Sequence, residues 1–288
     1  MPVARRDSYV VQIVADELEE LCVRDLLAAF KLTDKPGPWP HLARIPARRF
    51  AAKVRHFDNL AGRDGLRAAG QYILNLFTRE VQAEGVAHLP RTGPLIVASN
   101  HPGMTDAMAL WTSIPRNDLK IIAADRDLLR CLPNIRPHLI LMTAGSISAF
   151  REAKRHLLGG GCLLTFPAGK IEPDPTVRAG AQESLRDWSS GTVLLAQRVP
   201  GTVLVPAFVQ GVISREATQH PLLRYLQDEK DRDWAAATLQ ILLPKYRKLR
   251  VSVKYGHPVQ PCHEKLIEAT ARLVHRSAGA NRKRPKTL

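Results

Sequence analysis

From about residue 93 onward the chain repeats one pattern: a short apolar run, a turn or cap, a helical tract, then another apolar run. The runs are "PLIVAS" (94–99), "KIIAA" (120–124), "LILM" (139–142), "CLLTF" (162–166), "TVLVPAF" (202–208) and "RVSVKYG" (250–256). Helical tracts over about 104–115, 147–158 and 180–198 separate most of them. Such runs predict strands buried on both faces and joined by crossover helices. The expected fold class is therefore α/β, a mainly parallel or mixed sheet flanked by helices. Chemistry in such sheets sits beyond the carboxyl ends of the strands. "GGG" at 159–161 reads as the glycine stop between a helix and the next strand. Gly169-Lys170 is followed by Ile171 rather than Ser or Thr, which disfavours a phosphate loop.

The first third has a different period. Val10, Ile13, Val14, Leu18, Leu21, Cys22 and Leu26 recur at helical spacing within 8–31. Prolines and a glycine in "TDKPGPWPHLARIP" end that helix, and helical tracts over about 47–64 and 66–82 follow. The organisation expected is a helical N-terminal segment (1–82) apposed to a membrane, an α/β domain (83–275) and a basic, disordered tail (276–288).

The net charge of +15 favours polyanions: an anionic membrane surface, a phosphorylated substrate or nucleic acid. The nucleic-acid reading lacks aromatic-basic interleaving and zinc-finger spacing, so no nucleic-acid partner is expected. Cys22, Cys131, Cys162 and Cys262 form no C-x-x-C, which argues against a zinc knuckle and for a reduced, cytoplasmic chain. The opening residues do not read as a signal peptide, and no apolar run approaches the ~18 residues of a spanning helix. Membrane contact is therefore expected to be peripheral, on the inner face.

The stretch "SNHPGMTDAM" (99–108) follows a predicted strand and leads into a helix. Pro102-Gly103 turns the chain, so Asp106 can fold back onto His101. A carboxylate on one ring nitrogen fixes the tautomer and supports the imidazolium, leaving the other nitrogen to remove a proton. The bland alternative is a helix-capping aspartate beside a polar loop histidine. The chain has no G-x-S-x-G elbow, so a substrate hydroxyl would have to be the nucleophile.

Four blocks, in order, carry a resemblance: "VAHLPRTGPLIVASNHPGMTD" (86–106), "GGGCLLTFPAGKIEP" (159–173), "GTVLVPAFVQG" (201–211) and "VSVKYGHPV" (251–259). Over about 80–260 the chain resembles the glycerolipid acyltransferase family, which includes the 1-acylglycerol-3-phosphate (lysophosphatidic acid) acyltransferases of phospholipid biosynthesis. The resemblance implies that His101 is the general base and Asp106 its orienting partner. It implies acyl transfer from acyl-CoA or acyl-carrier protein to a hydroxyl of a lysolipid, with no cofactor and no metal. Asn100 and Gly103 fall beside the base, with backbone N–H groups near Gly103 as oxyanion donors. Phe166, Pro167 and Gly169 correspond to the family's F-P-E-G-T-R turn, which lines the acceptor pocket.

The chain departs from that pattern at Ala168, where the family has Glu, and at Ile171, where it has the Arg that holds the acceptor's phosphate. Lys170 could substitute as a point charge, although Glu172 would weaken a bare phosphate site. Arg151 and Arg136 are the candidates for the arginine of the second block. Because two positions are altered, a non-catalytic relative that binds lipid or carrier protein is the alternative.

Overall fold

A computed structural model describes residues 3–142 and 147–282. Seven strands, β1 (Thr78–Glu84), β2 (Leu95–Ser99), β3 (Leu119–Ala124), β4 (Leu139–Met142), β5 (Cys162–Thr165), β6 (Val203–Gln210) and β7 (Leu249–Tyr255), form one sheet. Their order is β1-β7-β6-β2-β5-β3-β4. All neighbours are parallel except β6 and β7. The fold is α/β with a mixed sheet, as the alternation of strands and helices predicts. Every residue of β2 is buried, which is why it reads as an unbroken apolar run rather than an alternating one.

The helices are α1 (Val3–Ala29), α2 (Trp39–Asp64), α3 (Leu66–Phe77), α4 (Met104–Ser113), α5 (Asp127–Arg130), α6 (Ile147–Leu158), α7 (Gly191–Gln197), α8 (Arg215–Thr218), α9 (Glu229–Leu242) and α10 (His263–Arg282). Leu95, Val97, Val205, Val209, Val251 and Val253 point to one face, where Leu18, Val54, Phe57, Leu74 and Leu110 of α1–α4 cover them. Ile96, Leu163, Leu204 and Phe208 point to the other, under Leu157, Val193, Leu266 and Leu273 of α6, α7 and α10. The N-terminal helices thus belong to the core of the sheet.

Three local readings change. The tract over 66–82 is helical only to Phe77, and 78–84 is β1, so residue 82 lies inside a strand rather than at a helix end. "TREVQAE" has no continuous apolar face, and only its pairing with β7 makes it a strand. Helix α2 begins at Trp39, earlier than its prolines suggest: Pro40 stands in the first turn, where the N–H it lacks would have no partner, and Pro46 is carried inside the helix. At the other end α10 runs to Arg282, so 276–282 is helical and not a disordered tail, while the rest of that tail, 283–288, lies outside the described residues.

Candidate active site

The chain leaves β2 toward β3 on one side and leaves β5 toward β6 on the other, although β2 and β5 are neighbours. Connections that part in this way open a crevice at the carboxyl ends of the two strands. His101 follows β2 and Phe166 follows β5, so the two meet there, with ring centroids 4.4 Å apart.

Asp106 stands in the first turn of α4 and is fully buried. One carboxylate oxygen, Oδ2, accepts from His101 Nδ1 at 2.8 Å and from the Gly103 N–H at 3.0 Å. The other accepts from the Ala107 N–H. A carboxylate only accepts, so the His101 proton is assigned to Nδ1 and Nε2 carries the free lone pair. The side chain of His101 is 28% exposed, leaving an approach to the ring.

The main chain of His101 is held as well. Its N–H donates to Glu172 Oε2 at 2.9 Å, and its carbonyl accepts from the Glu172 N–H at 2.8 Å. The second oxygen of Glu172 accepts from Ser184 Oγ and Trp188 Nε1, both at 2.9 Å. Burial raises the Glu172 carboxyl above its ordinary range, and the bonds from Trp188, Ser184 and His101 draw it partly back. Burial pulls the His101 imidazole down most strongly of any single influence. The charge and hydrogen bond of Asp106, with the charge of Glu172, outweigh it and hold the pKa above 6.5, against a smaller opposing push from Arg126.

The remaining sequence candidates divide. The Asn100 side chain faces β6, donating to the Val209 carbonyl at 2.8 Å and accepting from the Val209 N–H at 2.7 Å. It thereby ties the end of β2 to β6. Gly103 caps α4, and its N–H is committed to Asp106, which removes it from the spare oxyanion donors. Pro167 is buried, and its carbonyl accepts from the Ser189 N–H at 3.0 Å. Gly169, at φ +62°, closes the turn by donating to the Phe166 carbonyl at 3.0 Å. The Lys170 ammonium pairs with Asp187 at 2.8 Å on the surface and is not a free cation over the crevice. Arg151 is exposed on α6, in a separate surface depression with Lys120, Glu152 and Arg155. Arg136 donates to the Leu139 carbonyl at 3.1 Å.

Sequence reasoning misses Glu172 as a support, and with it Ser184 and Trp188. It also misses Asp174, which is fully buried and accepts from the N–H groups of Gly211 (3.1 Å), Val212 (2.7 Å) and Ile213 (3.1 Å). The available signal is "EPDP" (172–175), two acids in a proline turn directly after a buried strand.

No family model and no curated protein matches the chain. Among solved structures, it is similar to the crystal structure of the 1-acyl-sn-glycerophosphate (LPA) acyltransferase PlsC from Thermotoga maritima. Identity is 18%, coverage is 98% of this chain and 99% of that chain, and the TM-score is 0.47. A likeness of that degree leaves the chemistry to be argued from the residues themselves.

Proposed function

We propose that the protein is an O-acyltransferase that moves an acyl group from a thioester, acyl-CoA or acyl-carrier protein, to a hydroxyl of a lysophospholipid or related glycerolipid. The observation that carries this reading is the His101–Asp106 pair, a partly exposed imidazole fixed by a buried carboxylate beyond the carboxyl ends of two neighbouring strands. The acceptor hydroxyl gives its proton to His101 Nε2 while its oxygen attacks the thioester carbonyl. The tetrahedral intermediate places its negative oxygen against the first-turn N–H groups of α4 that remain uncommitted, those of Asp106 and Ala107 being spent on the Gly103 carbonyl and the Asp106 carboxylate. Collapse breaks the carbon–sulfur bond, and the departing thiolate takes the proton back from Nε2. Asp106 holds the ring and stabilises the transient imidazolium.

Arg126, exposed at the carboxyl end of β3, is close enough for its charge to act on His101. It is better placed to meet an anionic acceptor than Lys170, which is already paired with Asp187. Among the described residues no helix is long and apolar enough to cross a membrane. For peripheral contact on the cytoplasmic side, α2 offers Trp39, Leu42 and Ile45, which are 38%, 62% and 65% exposed. Arg49 is exposed beside them, as are Arg44 and Arg48, which pair on the surface with Glu20 at 2.6 Å and Glu19 at 3.9 Å. This arrangement suits an anionic bilayer. By contrast Phe77 is buried, and Tyr72 and Leu76 pack on the core, so the α3 residues do not form that face.

The deciding experiment supplies acyl-CoA or acyl-carrier protein in turn, with a panel of lysophospholipids, to wild-type and His101→Ala protein. Turnover is expected to fall by about 10²–10⁴-fold in the variant, the usual range for losing a positioned base, with an unchanged thermal transition. Equal turnover by the two proteins, or none by either with any donor, refutes the reading.

A further inference from the structure

The sheet is covered unequally. On the side packed by α6, α7 and α10, the cover reaches β6, where Leu266 and Leu273 of α10 share a cluster with Leu204 and Phe208. Strands β7 and β1 extend beyond it. Side chains alternate along a strand, so Arg250, Ser252 and Lys254 turn to this open side while Val251 and Val253 enter the core. The result is a trough of about 560 Å³ on the β1–β7 side of the sheet. None of its lining residues is His101, Phe166 or another member of the crevice. Its size is that of a small-molecule site, and its walls mix apolar side chains such as Ile213 and Tyr246 with charged and amide groups.

Two features give the trough a chemistry. Lys254 is only 8% exposed, and its ammonium has no hydrogen-bond or ion-pair partner among the described residues. Its neighbours in register are Phe208 on β6 and Glu84 on β1, whose carboxylate stays outside ion-pair range. What is buried is the stem: the ammonium itself reaches the surface in the wall of the trough, where it stands without a partner. Beside it in the next register position lie Gln82, Ser252 and Gln210, an uncharged row of hydrogen-bonding groups. Five basic and three acidic side chains line the trough, and one of the acids, Glu80, is already occupied by Gln82 at 2.5 Å and Arg250 at 4.0 Å.

We infer that this trough binds a phosphate monoester of a small polyol, the phosphate on Lys254 and the hydroxyls along Gln82, Ser252 and Gln210. The same chemistry comes from a soluble polyol phosphate and from the phosphorylated nucleotide of a coenzyme, and the probes below separate the two. The inference does not depend on the reaction proposed for His101.

The test is calorimetric titration of the full chain with glycerol 3-phosphate, inorganic phosphate and coenzyme A. Saturable binding of glycerol 3-phosphate is expected, weakened about tenfold or more by Lys254→Met, retained by Lys254→Arg and untouched by His101→Ala. Ser252→Asp, which sets a negative charge inside the trough without altering the core, is expected to weaken it to a similar degree and covers the case in which Lys254→Met fails to fold. Tighter binding of coenzyme A with the same dependence on Lys254 assigns the trough to a nucleotide handle and supports the inference. Equal binding of inorganic phosphate and glycerol 3-phosphate overturns it, since the uncharged row then contributes nothing. Binding unchanged in both Lys254→Met and Ser252→Asp, or no binding of any probe, also overturns it.

Discussion

Glu172 grips His101 by its main chain in both directions, accepting from its N–H at 2.9 Å and donating to its carbonyl at 2.8 Å. Asp106 sets the ring and Glu172 sets the backbone that carries it. The base is therefore located from two strands at once, because His101 follows β2 and Glu172 follows β5. A side chain held from two elements keeps its position to the tolerance that proton transfer requires.

Glu172→Gln tests this second hold. The amide has one acceptor where the carboxylate has two, so one of the donors from His101, Ser184 and Trp188 faces an NH2 group. The expected loss is about 1–3 kcal/mol of stability, read from denaturant unfolding. Removing the negative charge also lowers the His101 pKa, so the acid limb of the rate profile moves to lower pH. A purely structural Glu172 would move the first quantity and leave the limb in place.

The rate is expected to rise with pH through a value above 6.5, because Asp106 and Glu172 favour the imidazolium and the free base appears only above the raised pKa. The stability effect has the opposite sense. The contribution of the imidazolium is complete below about 6.5 and is lost as pH climbs through the folded-state value. In Asp106→Asn the acid limb shifts downward and the plateau falls by about 10²–10⁴-fold, since the ring loses both its charge partner and its tautomer. Rate profiles with coincident limbs in wild type and Asp106→Asn would falsify the coupling.

Vesicle flotation checks the α2 face. Wild-type protein is expected to bind anionic vesicles, with binding weakened by salt. Replacing Trp39, Leu42 and Ile45 together with Ser removes the apolar contribution, and the expected outcome is loss of binding with little change in melting temperature, because all three are already exposed. Binding to neutral vesicles at high salt equal to that on anionic ones counts against the electrostatic part.

Much of the fold is legible in the sequence because buried parallel strands are unbroken apolar runs, and β2 to β7 stand close to the runs that predict them. β1 is not legible. Its residues are polar and follow a strong helical stripe, and what makes them a strand is a partner 171 positions later, Leu249 opposite Thr78. The His101–Asp106 pair is legible because both members lie in one turn. Glu172, Ser184 and Trp188 are not, since their role arises from contacts across the sheet that no local spacing encodes. Asn100 shows the converse: it adjoins the base in the chain, yet its amide is spent on Val209.

The pairing of β1 with β7 also bears on how the molecule is made. As the chain is synthesised, β1 emerges early and must stay soluble without its neighbour until the last strand leaves the ribosome. Its Arg79, Glu80, Gln82 and Glu84 keep that waiting segment hydrated and poor at pairing with another copy. Closure of the outer sheet is thereby a long-range step, since it waits on a contact between residues 171 positions apart.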